Sequence, residues 1–234
     1  MRILIACEFS GTVRDAFRAA GHDAWSCDIL PSEGHGIYHL QGDVRRVLDG
    51  HIPHDMVGDS AWRPTPMFRQ WDMLIAHPPC TYLANSGNKH LYLEADREEK
   101  AQEAAAFFRV FLDCKIPRKA IENPIMRHAV ERVGRKCDQI VQPWWFGHGE
   151  SKATCFWLEN LPPLKPTRIV EGRTPRVHFA SPGPDRWKER SRTLPGLAAA
   201  MVIHWGNPNE REPAKDSGVR PQLRQRAGGG ADRR

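Results

Sequence analysis

Short apolar runs alternate with one amphipathic stretch at the start of the chain. Residues 2–7 form an almost continuous apolar run, which is typical of a strand buried on both faces. After a turn at residues 8–12, apolar side chains recur at helical spacing over residues 13–20, and Gly21 follows as a helix stop. Residues 23–27 form a second apolar run. The pattern therefore predicts a β-turn-α-β unit with a right-handed crossover.

The same alternation continues through most of the chain. Further apolar runs predict short strands at residues 38–40, 73–76, 119–121, 140–141 and 154–158, and helical spacing predicts helices over residues 91–113, 124–133 and 194–204. Residues 51–70 have no period, which is typical of a surface loop, and the polar residues 81–88 predict a mobile loop. Strands and helices in this order predict an α/β, Rossmann-like fold with a mostly parallel sheet and helices on both faces.

The length and composition favour a single well-buried domain. The chain has 234 residues, of which 40% are hydrophobic, enough for one packed core but not for two large ones. We expect this domain to span residues 1–207. Residues 208–234 are polar and basic, with three consecutive glycines, and predict a disordered tail. Residues 162–192 are rich in proline, arginine and glycine and show no clear period.

The charge balance is compatible with a polyanionic partner. Lysine and arginine number 34 against 28 aspartate and glutamate residues, an excess that fits either nucleic-acid binding or simply a basic tail. Six cysteines without a Cys-x-x-Cys pair, together with no secretory signal and no membrane-length apolar run, predict reduced thiols and a cytoplasmic protein. His77 and Cys80 have no second pair at zinc spacing, so no metal site is expected.

Polar, small or aromatic residues stand at the ends of several predicted strands. Ligands of parallel α/β sheets bind beyond the carboxyl ends of the strands, so these residues should share one rim. They are Phe9, Ser10, Gly11, Asp28, Asp43, Cys80 and Glu122. A set of this size at one edge indicates a functional site more strongly than any single motif does.

Each group on this rim has a chemical and a structural interpretation. The turn at residues 8–12 lets a ligand approach the backbone and a helix N-terminus, although its single glycine is weak evidence for a phosphate. Asp28 suits ribose hydroxyls or a turn, and Asp43 suits an adenine amino group or a helix cap. Cys80, which two prolines hold at a strand end, is a candidate nucleophile or a buried thiol. Glu122 is a candidate acid or a neighbour of a helix cap.

The order of these motifs resembles that of the cytosine-C5 DNA methyltransferases, and more specifically their compact phage-type members. The matching segments are Glu8-Phe9-Ser10-Gly11, Asp28, Gly42-Asp43-Val44, Pro78-Pro79-Cys80, Glu122-Asn123, residues 146–152, Arg192-Thr193-Leu194-Pro195 and Gly206-Asn207. The resemblance extends over about residues 1–207, and the pair of Cys80 and Glu122 is its most specific part.

This resemblance implies a fold, a cofactor, a substrate and a set of roles. It implies a class I S-adenosylmethionine-dependent methyltransferase fold that acts on DNA, either as a duplex with a flipped cytosine or as a single strand. Cys80 is then the nucleophile that adds to cytosine C6, Glu122 holds the N3/N4 edge, and Lys152 contacts O2, with Thr154 assisting. Contacts to S-adenosylmethionine are implied for Phe9, Ser10, Gly11, Asp28, Asp43, Val44, Pro78 and Asn207.

Departures from the family pattern bear on specificity. Val13 stands where the family has a second glycine, Lys152 replaces the usual arginines, and only residues 162–192 remain for target recognition. We therefore expect low sequence specificity, unless a further partner supplies it. Binding is expected to rest on phosphate contacts from Arg168, Arg173, Arg176, Arg186, Lys188, Arg190 and the arginine-rich tail.

Other functions stay open on the same residues. Thiol addition at C6 also serves C5 alkylation of cytosine nucleotides, or the use of a modified S-adenosylmethionine or another one-carbon donor. A catalytically inactive DNA-binding decoy is an alternative of a different class. Amino-methylation of DNA is disfavoured, because those enzymes place an aromatic residue where Cys80 stands.

Overall fold

The computed structural model describes residues 1–34, 36–52, 63–64, 70–85, 96–175, 183 and 185–207. The strands are β1 (Arg2–Ala6), β2 (Asp23–Asp28), β3 (His39–Gln41), β4 (His51–Ile52), β5 (Arg63–Pro64), β6 (Met73–Ala76), β7 (Arg118–Pro124), β8 (Gln139–Val141) and β9 (Thr154–Glu159). The α-helices are α1 (Thr12–Ala19), α2 (Val44–Leu48), α3 (Arg97–Asp113), α4 (Val130–Val133), α5 (Arg186–Ser191) and α6 (Pro195–Trp205), with short 3-10 turns at Gly36–Tyr38, Arg127–Ala129 and Pro143–Trp145.

Seven strands form one sheet in the order β3-β2-β1-β6-β7-β9-β8. The first five strands in this order are parallel, and β9 is antiparallel to both of its neighbours. A mostly parallel sheet with one reversed strand beside its edge is the class I methyltransferase arrangement. The predicted fold class is therefore confirmed.

Hydrophobic cores cover both faces of this sheet because successive side chains of a strand point to opposite sides. Along β1, Leu4 and Ala6 face a core that includes Phe108 and Phe111 of α3. Ile3 and Ile5 face the other core, which α1 and α6 complete with side chains such as Phe17 and Met201. The central strands are therefore buried on both sides, which explains their continuous apolar sequence.

The structure departs from the sequence expectation after β7. The expected strand at residues 119–121 continues to Pro124, because Glu122, Asn123 and Pro124 pair with the antiparallel strand β9. The helix expected over residues 124–133 is consequently reduced to a 3-10 turn and the single-turn helix α4. A strand partner that lies far away in sequence decides this boundary.

Several expected loops fall wholly or partly outside the described residues. The loop expected at 51–70 contains the two-stranded pair β4–β5, and its other described residue is Gln70. The expected loop over the site is described to Asn85, and the tail 208–234 is outside the described ranges. No helix within the described ranges is long and apolar enough to cross a membrane.

Candidate active site

The strand register brings the expected rim together. Ala6 pairs with both Cys27 and Ala76, and Ala76 pairs with Ile121, so the central strands end nearly level. The residues that end or follow these strands at the same edge are Phe9, Ser10, Gly11, Asp28, Asp43, Cys80 and Glu122. These residues therefore lie at one edge of the sheet, where the sequence predicted them.

Cys80 sits in a turn that hydrogen bonds hold from both sides. The backbone N–H groups of Leu83 and Ala84 donate to the Cys80 carbonyl oxygen over 3.0 and 2.8 Å. The buried Asn123 donates its side-chain amide to the Pro78 carbonyl oxygen over 2.8 Å. This clamp ties the turn after β6 to β7, so the position of the thiol is fixed by the sheet.

The environment of Cys80 controls the ionisation of its thiol. Burial raises the pKa of Cys80, and the negative charge of Glu122 raises it further, whereas the charges of Lys152 and Arg190 oppose the shift. The net direction is upward, so the thiol is protonated at neutral pH. Any positive charge brought closer to Cys80 would therefore favour its thiolate, as the charges of Lys152 and Arg190 already do.

Glu122 and His77 form a close pair at the centre of the rim. The Nδ1 atom of His77 lies 2.8 Å from Oε2 of Glu122, and the two side chains are only 9% and 11% exposed. Burial raises the pKa of Glu122, but the hydrogen bond and charge of His77, aided by Lys152, outweigh it and bring the pKa below its ordinary value. Sequence reasoning had considered His77 only as a metal ligand, and within the described ranges no cluster suited to a metal is present.

Lys152 lies close enough to Cys80 and Glu122 for its charge to act on both. Its charge acts on both Cys80 and Glu122, and its Nζ donates to the Arg190 carbonyl oxygen over 2.9 Å. Thr154 is buried, and its hydroxyl donates to the Lys152 carbonyl oxygen over 3.2 Å. Lys152 therefore supplies a positive charge that acts on both the thiol and the carboxylate.

A carboxylate of the chain itself occupies the helix N-terminus beside β1. Glu8 is buried and accepts hydrogen bonds from the backbone N–H groups of Val13 and Arg14 over 2.6 and 3.2 Å. Ser10 contacts Glu8 and Thr12 through its hydroxyl, at 3.5 and 3.2 Å. A negative group at a helix start is stabilising, so this turn is built around Glu8.

Arg14 is a second buried charge that sequence reasoning missed. The residue is 1% exposed, and its guanidinium donates to the hydroxyls of Ser26 and Ser32 over 2.9 and 3.2 Å. It also binds the Asp15 carboxylate through two nitrogens at 2.7 and 3.1 Å. The sequence indicates this burial only indirectly, because Arg14 follows Val13, which lies on the apolar face of the first helix.

The packing of Arg14 requires a glycine at position 11. Gly11 has φ +75°, in the left-handed region, and a Cβ at this position would overlap the Arg14 guanidinium. Gly21 has φ +84° but nothing within 4 Å of such a Cβ. Substitutions at the two glycines can therefore separate the cost of a left-handed backbone from the cost of displacing Arg14.

We expect Gly11→Ala to destabilise the fold more than Gly21→Ala. Each variant should lose about 1–2 kcal/mol for a left-handed non-glycine residue. Gly11→Ala should lose about 1–3 kcal/mol more, because Arg14 must give up buried hydrogen bonds. Urea unfolding of both variants measures the difference, and equal losses would contradict the role of Arg14.

Asp28 and Asp43 both make the structural contacts that the sequence left as alternatives. Asp28 accepts from the Leu30 backbone N–H over 2.9 Å, and burial is the main cause that raises its pKa. Asp43 caps α2 and binds the Arg45 side chain at 2.6–3.0 Å, which lowers its pKa. Val44 is only 4% exposed and packs in the core. Both carboxylates remain on the rim, whereas Val44 is a packing residue, which corrects its expected cofactor contact.

Asn207 lies at the opposite edge of the sheet, which corrects its expected place in the site. A Cβ on the preceding Gly206 would lie 3.0 Å from the ring of His22, just before β2 begins. The six residues of β2 separate that edge from Asp28 by about 17 Å. The helix α6 packs along α1 and carries Asn207 away from the rim.

Helix α5 crosses the site within the segment that was expected to recognise the target. The Trp187 ring lies 6.1 Å from that of the buried Phe9, while Trp187 itself is 52% exposed. Just beyond α5, Arg192 binds Glu33 through contacts of 2.6 and 2.9 Å. Together with the hydrogen bond from Lys152 to the Arg190 carbonyl oxygen, these contacts connect α5 to Phe9 after β1 and to the lysine that acts on Cys80 and Glu122.

The basic residues expected to meet phosphates have different surroundings. Arg173 lies 4.0 Å from the centre of the Trp144 ring and donates to backbone carbonyls, and Lys188 lies 3.5 Å from Asp185. Arg168 lies beside Gly147. Arg176 is outside the described residues.

The order and direction of the strands define a Rossmann-like α/β fold of the class I methyltransferase type. No family model matches the sequence, and no curated protein matches it. Among solved structures, similar chains include a prophage-encoded E. coli protein assigned as a DNA modification methyltransferase (TM-score 0.41, 15% identity) and the Dnmt2 methyltransferase of S. pombe (TM-score 0.38, 15% identity). A third is the methyltransferase EhMeth of Entamoeba histolytica (TM-score 0.38, 13% identity). Each match covers 77% of this chain and 54–60% of the other chain, so this chain spans little more than half their length.

Proposed function

We propose that this protein transfers a methyl group from S-adenosylmethionine to C5 of cytosine in DNA, through a covalent bond between Cys80 and cytosine C6. The observation that carries the proposal is the convergence of Cys80, Glu122 and Lys152 at one strand edge. A thiol, a carboxyl group and a cation are the groups that addition to a pyrimidine ring requires. The Asn123 clamp on the Pro-Pro-Cys turn adds the rigidity that such a reaction needs.

The residues on the β1–β3 side of the rim fit the cofactor. Phe9 offers a ring next to the exposed Trp187, and Asp28 and Asp43 offer carboxylate oxygens at the ends of neighbouring strands. A carboxylate at the end of the second strand suits hydrogen bonds from ribose hydroxyls. The carboxylate after the third strand suits a hydrogen bond from the adenine amino group. When bound, S-adenosylmethionine supplies an electrophilic methyl group. The chain supplies the position and the proton transfers.

The covalent steps balance within the site. The Cys80 thiol first releases its proton to solvent. The thiolate then donates an electron pair to C6, the C5=C6 π electrons move toward C5 and the N3 edge, and N3 takes a proton from Glu122. C5 then acquires the methyl group and loses its hydrogen as a proton to solvent. The S–C6 bond breaks, the C5=C6 bond returns, and the N3 proton goes back to Glu122. Lys152 favours the thiolate during addition because its charge lowers the pKa of Cys80.

Labelled S-adenosylmethionine tests the proposal directly. The protein is incubated with duplex DNA, single-stranded DNA or deoxycytidine monophosphate, and the digested products are analysed as nucleosides. The proposal expects label in 5-methylcytosine from DNA. Label only from the mononucleotide supports a nucleotide-modifying enzyme, and cofactor-independent DNA binding without transfer supports a decoy.

We expect DNA binding to weaken steeply with salt and to depend on Lys188. Phosphate contacts release counterions, so each one contributes about one to the slope of log affinity against log salt. Lys188→Gln should reduce that slope by about one. Lys115→Gln, at an exposed position before β7 and away from the rim, is the control and should leave the slope unchanged.

Low sequence specificity is the second part of this prediction. The segment expected for target recognition, residues 162–192, is short, and α5 within it contacts the site itself. Modified cytosines in a long random duplex should therefore occur in many sequence contexts. A strict motif of four or more base pairs, read by the isolated protein, would contradict this argument.

A further inference from the structure

His77 lies on the rim beside the proposed acid and has no role in the reaction described above. It directly follows β6, and its backbone N–H donates to the Ala6 carbonyl oxygen over 2.9 Å, so its main chain belongs to the sheet. Its Nδ1 atom faces Oε2 of Glu122 at 2.8 Å. Its Nε2 atom is buried and has no hydrogen-bond partner within the described part of the chain. The only polar contact described for this ring is therefore directed at the proposed acid.

Charged groups surround this imidazole on every neighbouring element. Glu8 follows β1, Asp28 ends β2 and Glu122 lies in β7, and the charge of His77 acts on all three carboxylates. On the other side, Lys152 acts on Glu122, and Cys80 lies three residues further along the chain. Burial is the main influence on the pKa of Glu8 and of Asp28, raising both, and His77 opposes it.

This arrangement creates a problem for Glu122 alone. A carboxyl group whose pKa lies below its ordinary value is ionised at neutral pH and holds no proton for cytosine N3. The group that lowers the pKa of Glu122 is an imidazole, and imidazoles are the side chains that proteins most often use to hold and pass a proton near neutral pH. The proton required by the reaction therefore has a store 2.8 Å from the carboxylate.

We propose that His77 is a positioning residue that stores the proton Glu122 delivers to cytosine N3 and returns it there after turnover. The inference rests on the proposed function. As Cys80 adds to C6, the Nδ1 proton of His77 passes to Oε2 of Glu122, and the carboxyl group then rotates and delivers this proton from Oε2 to N3. His77 is then neutral. When the S–C6 bond breaks, the N3 proton returns through Glu122 to Nδ1, so the pair ends the cycle unchanged.

His77→Asn separates the hydrogen bond from the proton store. The asparagine amide can donate to Glu122 from the position of Nδ1, but it does not ionise. We expect kcat to fall at least tenfold at pH 7.5, with KM for S-adenosylmethionine unchanged. The loss should shrink as the pH falls toward 5.5, because Glu122 without the hydrogen bond and charge of His77 regains a higher pKa and carries its own proton. A loss that is equal at every pH would show a merely structural role and overturn the inference.

His128→Asn is the matched control. Among the described residues, His128 also has a buried Nε2 without a hydrogen-bond partner, and its ring has no described contact with a carboxylate. This variant should keep the wild-type pH profile. His77→Gln serves as a second neutral variant if His77→Asn unfolds at assay temperature, and it should show the same recovery at low pH.

A substrate-free measurement distinguishes failure of this inference from failure of the proposed function. Carbon-13 NMR titration of the Glu122 carboxyl group should give a lower pKa in the wild type than in His77→Asn. Equal values would overturn proton sharing whatever the enzyme does. A wild-type protein that methylates no cytosine would overturn the proposed function and the catalytic step together. An active wild type whose profile is unchanged in His77→Asn would overturn the inference alone.

Discussion

Cys80→Ser should abolish methyl transfer while leaving the fold intact. A serine hydroxyl is far less ionised than a thiol at neutral pH, and this site already raises the pKa of the group it holds. The substitution is nearly isosteric, and the hydrogen bonds of the turn use the backbone of residue 80. Product formation from labelled S-adenosylmethionine, measured beside the thermal unfolding curve, checks both parts of the prediction.

Covalent trapping and a second cysteine sharpen this test. DNA containing 5-fluorocytosine should form a stable adduct with the wild type, and peptide mapping should locate it at Cys80. Cys114→Ser is the control, since Cys114 ends α3 with its thiol donating to the Phe111 carbonyl oxygen over 3.3 Å. Normal turnover by Cys80→Ser would refute the proposed mechanism.

Glu122→Gln should lower the single-turnover rate by about a hundredfold or more, the usual contribution of a positioned proton donor. The glutamine amide can still donate a hydrogen bond to N3, but it cannot release a proton. Affinity for S-adenosylmethionine, measured by calorimetry, should change little, because Glu122 faces the β6–β7 side of the rim with His77.

The control for this carboxylate is Glu131→Gln, at an exposed position in α4. It should preserve both the rate and the cofactor affinity. If Glu122→Gln instead keeps its rate and loses cofactor binding, then the carboxyl group serves the cofactor half of the rim and its assigned role is wrong.

Much of the fold could be predicted because short stretches of the sequence specify its strands and helices. The runs that became β1, β2 and β6 are continuously apolar, and only strands covered on both faces have that pattern. Gly21 ends the first helix with the left-handed backbone that its place in the sequence predicted. The strand β7 was predicted too short, because its last residues are polar and depend on pairing with Thr154–Phe156 of β9.

The rim could be predicted for a related reason. In a parallel sheet every strand end points to the same edge, so Cys80 and Glu122 were expected to meet although 42 residues separate them. The place of Asn207 could not be predicted in this way, because Asn207 follows a helix rather than a strand. Helix packing, not strand order, decides where such a residue lies, and α6 places the preceding Gly206 beside His22.

The sequence by itself therefore determined the class of fold and the sheet edge at which Cys80 and Glu122 lie, since periodicity and strand ends are local signals. Only the tertiary structure decided the partners of those groups. His77 contacts Glu122 across 45 residues, Glu8 fills the helix start, and α5 bridges Phe9 and Lys152. Such contacts depend on side-chain direction and close packing between distant segments, which no periodicity encodes.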